Sequence, residues 1–305
     1  MVTHRAMSAG EGASVDLTIE LCGIPLASPL IPAAGTLSKE GFGETKGIYG
    51  AMLPKTVTPR PRVGNPPPRI AEVSSGMVNS IGLQNPGLDR FLNNIDDYGV
   101  GLPLFVSIAA DTVGEFAGMC ERIAGEERVA AVELNLSCPN VEHGGLQFCA
   151  GPGAVREVVT ACRGAFSEKP LFVKLTNEGV VGNAMAAEEA GADAVTLINT
   201  IPALVVNAHE RQVLLRGGLS GPAIKPIALR AAYEVSRAVG VPVIGVGGVT
   251  SGIDIAEFML AGAAAVQVGA GSFVWEPREM LEEFAAYLRE NGLRARDLNI
   301  AMTEL

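Results

Sequence analysis

Ala130-Ala131-Val132-Glu133-Leu134-Asn135-Leu136-Ser137-Cys138-Pro139-Asn140 is the stretch on which the reading of the chain turns. Ala130 to Leu136 is apolar apart from Glu133 and Asn135, which suits a strand covered on both faces, and Pro139 cannot continue a β-ladder. The strand is therefore expected to stop at Ser137 or Cys138. The loop that follows carries the Cys138 thiol between the carboxamides of Asn135 and Asn140, then His143 and the flexible pair Gly144-Gly145. A thiol, amides and glycines together point to catalysis.

Working outward, apolar β-branched runs recur at Pro29–Ala33, Ala51–Thr56, Leu104–Ile108, Ala131–Leu136, Leu171–Leu175, Ala194–Ile198, Val241–Val246 and Ala265–Val268. That makes eight, the number a closed α/β barrel needs. Helical patterns fall between them at Gly114–Ile123, Pro152–Phe166, Ala184–Ala190, Ile224–Val239 and Ile253–Leu260, so strand and helix alternate and the strands are parallel. The expected fold is a (β/α)8 TIM barrel in which residues 1–305 form one domain, with 1–14 a loose tail and a short strand or hairpin over Val15–Ile24. A doubly wound sheet is the alternative, for which a count of eight would be coincidence. Two stretches break the rhythm. Thr58–Pro86 is dense in proline and reads as an extended segment rather than a crossover helix. Ile201–Pro222 is long and mixed, with a small hairpin expected around Glu210-Arg211. Long loops after barrel strands lie at the mouth, where active sites form.

Polar residues gather at the ends of these runs. Lys55 ends the second, Ser107 nears the end of the third, Asn135 and Cys138 end the fourth, Lys174 ends the fifth, Asn199-Thr200 the sixth, Gly247-Gly248 the seventh and Gly269 the eighth. The C-termini of parallel barrel strands share one face, so these residues should converge on one mouth.

Composition narrows what that mouth can serve. The chain of 305 residues is 48% hydrophobic but only 5% aromatic, with 37 glycines, which fits a large core of small and branched side chains. A net charge of −10 without a run of Lys or Arg excludes a phosphate-tracking nucleic-acid surface, so any anion must be held by local residues. Five cysteines without a C-x-x-C pair indicate neither a disulfide framework nor a zinc site, which fits a reducing cytoplasm. No stretch reaches the length of a membrane span, and the start lacks a signal core.

Gly247-Gly248 and Gly269-Ala270-Gly271 occupy the usual place of a phosphate cradled by backbone amides, although small residues at tight turns would look the same. They lack the βαβ context of a dinucleotide fingerprint, so direct NAD binding is rejected. Lys55 and Lys174 stand in apolar strand ends, where an unpaired ammonium is costly, so each is expected to meet an anionic or polarised ligand group unless it snorkels to solvent. Asn79, Asn135, Asn140 and Asn199 offer amides that donate and accept at once, suited to an amide-rich heterocycle. Cys138, in its loop, is a candidate thiolate nucleophile or general base, with His143 the weaker candidate. Cys22, Cys120, Cys149 and Cys162 read as structural.

Several motifs in order and spacing carry a specific resemblance: Asn65-Pro66-Pro67-Pro68-Arg69, Asn79-Ser80-Ile81-Gly82-Leu83-Gln84-Asn85-Pro86-Gly87, Glu133 through Asn140, Val173-Lys174-Leu175, Asn199-Thr200, and Gly217 through Pro226. Over nearly its whole length the chain resembles the dihydroorotate dehydrogenases, flavin enzymes of pyrimidine synthesis. The cysteine in the fourth-strand loop looks like the soluble class 1 enzymes. The run Gly218-Leu219-Ser220-Gly221-Pro222-Ala223-Ile224-Lys225-Pro226 looks like subclass 1B, whose catalytic subunit pairs with an electron-transfer subunit.

The resemblance implies roles. Lys55 would contact both flavin and substrate. Asn79, Ser80, Ile81, Gly82, Leu83, Asn135, Asn140, Asn199 and Thr200 would hold the pyrimidine and its carboxylate. Lys174 would face the flavin pyrimidine edge. Together with Lys55 and Lys174, the residues Ala34, Thr56, Ser107, Asn135, Ile198, Gly221, Gly247, Gly248, Gly269 and Ala270 would line one FMN per chain. Cys138 would take the C5 proton of dihydroorotate as C6 gives hydride to flavin N5. Ser107 stands where the family commonly has Asn near the flavin, Ala270 where Thr is usual, and Thr176-Asn177 lacks a common proline. A homodimer joined to a subunit carrying FAD and an iron–sulfur cluster, in a heterotetramer that reduces NAD, is implied as partner. The rivals are a dihydropyrimidine dehydrogenase-like enzyme, which shares the Leu-Ser-Cys-Pro loop, and a non-catalytic barrel subunit. No metal site is expected in this chain.

Overall fold

The computed structural model describes residues 15–37, 46–98, 101–136 and 148–300, so Cys138, Asn140 and His143 lie outside the described residues. The strands are β1 Ile19–Leu21, β2 Ile24–Leu26, β3 Leu30–Pro32, β4 Ile70–Val73, β5 Gly76–Asn79, β6 Leu104–Ile108, β7 Val129–Asn135, β8 Leu171–Leu175, β9 Ala194–Leu197, β10 Ile201–Asn207, β11 Gln212–Ser220, β12 Val243–Val246 and β13 Ala263–Val268. Seven of them form one parallel sheet in the order β3-β13-β12-β9-β8-β7-β6.

The eighth run, Ala51–Thr56, closes the sheet into a barrel without forming a continuous ladder strand. Gly50 N–H donates to the Leu30 carbonyl on one side (2.8 Å), and Met52 exchanges hydrogen bonds with the Pro103 carbonyl and the Phe105 N–H on the other (both 2.8 Å). Pro54 interrupts the run because it has no N–H to give. Pairing resumes at Val57, which bonds the Ser107 carbonyl and the Ala109 N–H at 2.9 Å each. The TIM barrel read from the sequence is thus the fold observed, and the doubly wound alternative falls.

Every residue of β3, β6, β8, β9 and β12 is buried, as strands covered on both faces require. Helices α1 Leu88–Asn93, α2 Val113–Ala124, α3 Pro152–Ala165, α4 Val180–Glu189, α5 Lys225–Ser236, α6 Gly252–Leu260 and α7 Pro277–Asn291 accompany the strands. Their ends follow local chemistry. Thr112 caps α2 by accepting from Glu115 N–H at 3.1 Å. Ser251 and Asp254 close a reciprocal capping box on α6. Proline opens α7, and Gly292 ends it in the left-handed conformation. No helix among the described residues is long and apolar enough to cross a membrane.

Two additions sit on this frame. The expected element over Val15–Ile24 is the β1-β2 hairpin, outside the barrel. The expected hairpin around Glu210-Arg211 is β10-β11. The proline-dense segment, expected only as extended chain, holds a third hairpin, β4-β5; β5 pairs with β11, giving a four-stranded antiparallel sheet in the order β10-β11-β5-β4.

Candidate active site

The barrel interior is polar where the mouth begins. In β7 Glu133 and Asn135 are two positions apart and share a face; Thr196 and Ile198 are similarly placed at the end of β9, and Gln267 and Gly269 at the end of β13. Glu133, Thr196 and Gln267 thus form one layer contributed by alternate strands, all at most 1% exposed. Thr196 Oγ1 and Gln267 Nε2 donate to Glu133 Oε2 at 3.0 and 2.8 Å, and Lys174 Nζ donates to Gln267 Oε1 at 3.1 Å. Beneath Lys174 on the same face of β8, Phe172 packs edge-on against Phe105 of β6, with ring centroids 5.3 Å apart. The aromatic pair seals the barrel below the polar network.

Above this layer lies a cavity of about 450 Å3, within the range of small-molecule sites. Its floor and walls come from the C-terminal ends of the strands: Ala33 and Ala34 after β3, Lys55 and Thr56, Asn135 of β7, Lys174 of β8, Ile198 to Thr200 after β9, Val246 to Gly248 at β12, and Gly269-Ala270 after β13. The antiparallel sheet supplies a further wall through Ile70, Met77, Asn79 and Ser220, joined by Arg69, Ile81, Leu83 and Gln84. Among the described residues Lys55, Arg69 and Lys174 line this cavity and no Asp or Glu does, although the chain as a whole carries a net charge of −10. The site is therefore built for an anion against the trend of the molecule.

Glycine makes the wall possible at two points. A Cβ on Gly218 would stand 2.0 Å from Thr200 Oγ1, and one on Gly217 would stand 2.1 Å from the Asn79 carbonyl. The sheet can press Asn79 and Thr200 into the cavity only because β11 has no side chains there.

Of the residues singled out in the sequence, Ala34, Lys55, Thr56, Asn79, Ile81, Leu83, Asn135, Lys174, Ile198, Asn199, Thr200, Gly221, Gly247, Gly248, Gly269 and Ala270 line one cavity. Ser80 and Gly82 do not reach its lining; Ser80 Oγ instead accepts from Asn65 Nδ2 at 2.8 Å. Ser107 is buried behind the wall, 2.9 Å from Thr56 Oγ1, so it supports a lining residue instead of lining the cavity itself. Of the four cysteines read as structural, Cys120, Cys149 and Cys162 are buried and Cys22 is half-buried with its Sγ donating to the Asp193 carbonyl at 3.2 Å; burial pushes the Cys149 thiol up to about 11. Arg69, Gln84 and Glu133, which stood in quoted motifs without a role, and Thr196, Gln267 and Phe273, which were not singled out, join the site. The period-two spacing of Glu133 with Asn135 and of Gln267 with Gly269 was the available signal, since polar residues in an otherwise apolar strand must share an interior.

The residues fit a flavin mononucleotide. Gly247, Gly248 and Gly269 present bare backbone to the cavity after the last two strands, where a phosphate oxygen can approach N–H groups. Lys174 supplies a cation at the floor, and Asn135 and Asn199 supply amides for a heterocyclic edge.

Comparison with known proteins agrees with this geometry. Residues 16–286 match the family model described as dihydroorotate dehydrogenase. A protein of Geobacter sulfurreducens named dihydroorotate dehydrogenase B (NAD(+)), catalytic subunit, is 44% identical over 294 residues, covering 91% of this chain and 95% of that protein. One of the same name from Pelobacter propionicus is 43% identical over 299 residues, covering 93% and 97%. The crystal structure of the Eimeria tenella DHODH in complex with ferulenol superposes with a TM-score of 0.79 at 24% identity, covering 93% of this chain and 87% of that one, which establishes the shared fold. With its barrel, its cationic mouth and a family match over most of its length, the chain belongs to the dihydroorotate dehydrogenase family.

Proposed function

We propose that this chain oxidises dihydroorotate to orotate, a step of pyrimidine biosynthesis, as the FMN-binding catalytic subunit of an NAD-linked enzyme. The observation that carries the reading is the cavity wall in which Lys55, Arg69 and Lys174 converge with Asn79, Asn135 and Asn199, with no carboxylate among the described residues that line it. A substrate that is both a carboxylate and a cyclic amide needs cations for the first and bifunctional amides for the second. FMN, when bound, supplies the two-electron acceptor.

The chain's own groups divide the remaining work. Gly247, Gly248, Gly269 and Ala270 hold the phosphate end, with Ala34, Thr56, Ile198 and Gly221 along the ligand. Lys174 stabilises negative charge at the floor. Lys55, whose side chain packs against Gly35 so closely that a Cβ there would meet Lys55 Cδ at 2.6 Å, is held where substrate and cofactor meet. Asn79, Asn135, Asn199 and Thr200, with Ile81 and Leu83, orient the ring, a role that Asn140 shares in this reading. Cys138 is, in this reading, the base that removes the proton from C5.

The electrons leave through a second protein, because the sequence carries no dinucleotide-binding fingerprint in a βαβ context and no cysteines spaced for a cluster. In this reading a homodimer of the chain assembles in the cytoplasm with a subunit carrying FAD and an iron–sulfur cluster, and the heterotetramer reduces NAD. The names of the relatives, catalytic subunits of an NAD(+) enzyme, support this. The reaction is tested by comparing turnover of dihydroorotate with that of dihydrouracil, using an artificial electron acceptor. Dihydroorotate should be preferred by at least about 10²-fold in kcat/KM, because dihydrouracil offers the cationic site no carboxylate to bind. Equal turnover, or preference for dihydrouracil, would refute it.

A further inference from the structure

Among the described residues Lys174 does not meet a carboxylate. Its Nζ, on a residue only 6% exposed, donates to Gln267 Oε1 at 3.1 Å, and Gln267 Nε2 in turn donates to Glu133 Oε2 at 2.8 Å. An ammonium can only donate and a carboxylate can only accept, so Gln267 has a single amide orientation that serves both neighbours. Thr196 Oγ1 adds a second donor to the same Glu133 oxygen at 3.0 Å, which fixes the carboxylate in turn. Glu133 Oε1 has no hydrogen-bond partner among the described residues, so the carboxylate is committed to orienting Gln267 and Thr196 rather than spread over several donors.

We infer that Gln267, oriented by Glu133, is the positioning residue for Lys174: it anchors the ammonium at the cavity floor through a neutral oxygen while keeping the carboxylate one side chain away. The inference rests on the reading of the cavity as an FMN site. A direct Lys–Glu pair at this position would hold the lysine equally well but cancel its charge where a reduced flavin carries negative charge. An amide in between gives the same anchorage and leaves the field of the cation directed upward, since attraction between unit charges falls with their separation and is strong in a water-poor site. The network is therefore more than filling for the barrel interior. It sets how strongly the site prefers reduced over oxidised cofactor.

Exchanging the two residues, Glu133→Gln together with Gln267→Glu, tests this with net charge and hydrogen-bond count unchanged. Gln at 133 can accept from Thr196 and donate to Glu at 267, which accepts from Lys174. The readouts are the dissociation constant of FMN from the apoprotein and the midpoint potential of bound FMN, alongside the thermal midpoint. The exchanged protein should bind oxidised FMN but lose about tenfold in its preference for the reduced form, a drop of about 30 mV for a two-electron couple. Should the exchange prevent folding, Gln267→Met decides the matter alone and combined with Lys174→Met. Alone it should lower the preference for reduced FMN about threefold or more, and in the Lys174→Met background it should change nothing further. A folded exchange variant whose preference stays within about twofold of the parent, or a Gln267→Met effect undiminished without Lys174, would overturn the inference. A parent protein that binds no FMN would refute the proposed function instead.

Discussion

Replacing Gly218 by alanine should damage the active site without touching a charged group. The new Cβ would lie 2.0 Å from Thr200 Oγ1 and 2.6 Å from Thr200 Cβ. Rotating the threonine cannot relieve both contacts, because its Cβ does not move with χ1. The backbones of β11 and of residues 199–200 must therefore part by about 1 Å to reach a tolerable separation, at an overpacking cost of about 1–3 kcal/mol. Thr200 and Asn199 line the cavity, and a displacement of about 1 Å in a positioning group can cost about 10²-fold in rate. We therefore expect Gly218→Ala to reduce kcat/KM for dihydroorotate by one to two orders of magnitude, measured with an artificial electron acceptor, while the protein remains folded. Gly118→Ala is the matched control. That glycine lies within α2, where an added Cβ would meet nothing within 4 Å, and the change should leave kinetics alone and stabilise by about 0.5–1 kcal/mol. A folded Gly218→Ala protein with kcat/KM within about twofold of the parent would refute the argument that bare backbone lets the sheet press cavity-lining residues into place.

Other changes test other parts of the site. Lys174→Met should slow anaerobic flavin reduction by about 10²-fold, the usual cost of removing one preorganised electrostatic group; an unchanged rate in stopped flow would remove Lys174 from the site. Cys138→Ser should retain FMN but reduce it slowly at neutral pH and recover in alkali, since a thiol ordinarily ionises near about 8.5 and serine far higher; fast reduction at neutral pH would move the base elsewhere. Behind the cavity wall, burial alone would raise the Asp254 pKa, but hydrogen bonds from Lys225 (2.6 Å) and from Thr250 N–H (2.7 Å) and Oγ1 (2.9 Å) outweigh it and hold the carboxyl below its usual range. Its stabilising contribution is then present above the unfolded value of about 4 and lost as pH falls through the lower folded value. Asp254→Asn should cost about 1.5–3 kcal/mol at neutral pH, and the gap in thermal midpoint should close below about pH 4; a gap independent of pH would refute the assignment.

The barrel was legible because its strands are buried on both faces and so read as uninterrupted branched apolar runs, while the helices between them carry one apolar stripe. Where a run departed from that rule its appearance misled only in detail. Ala51–Thr56 looks like the other seven, yet with Pro54 inside it the run is bridged at Met52 and its flanks at Gly50 and Val57, with no continuous ladder among the described residues. Helix α7 is harder to see in the sequence although Met280, Leu281, Phe284 and Leu288 repeat at helical spacing, because Arg and Glu fill much of the rest of its surface. Hairpin β4-β5 was hidden for another reason: its partner strand, β11, lies well over a hundred residues away, and the prolines around it dominate the local pattern. In the site, single residues at strand ends could be read because parallel strands must deliver them to one face. The Glu133–Gln267–Lys174 chain could not, since it joins three strands whose register only the closed barrel sets.

Oxidation of dihydroorotate within this chain has a direct spectral signature. The chain, purified and kept anaerobic, is scanned before and after addition of dihydroorotate. Bound FMN should give a yellow protein whose visible flavin band bleaches at once on adding dihydroorotate, without the partner subunit, because the proposed reaction removes both proton and hydride within this chain's cavity. A colourless protein that takes up no FMN, or a flavin band that dihydroorotate leaves untouched, would contradict it.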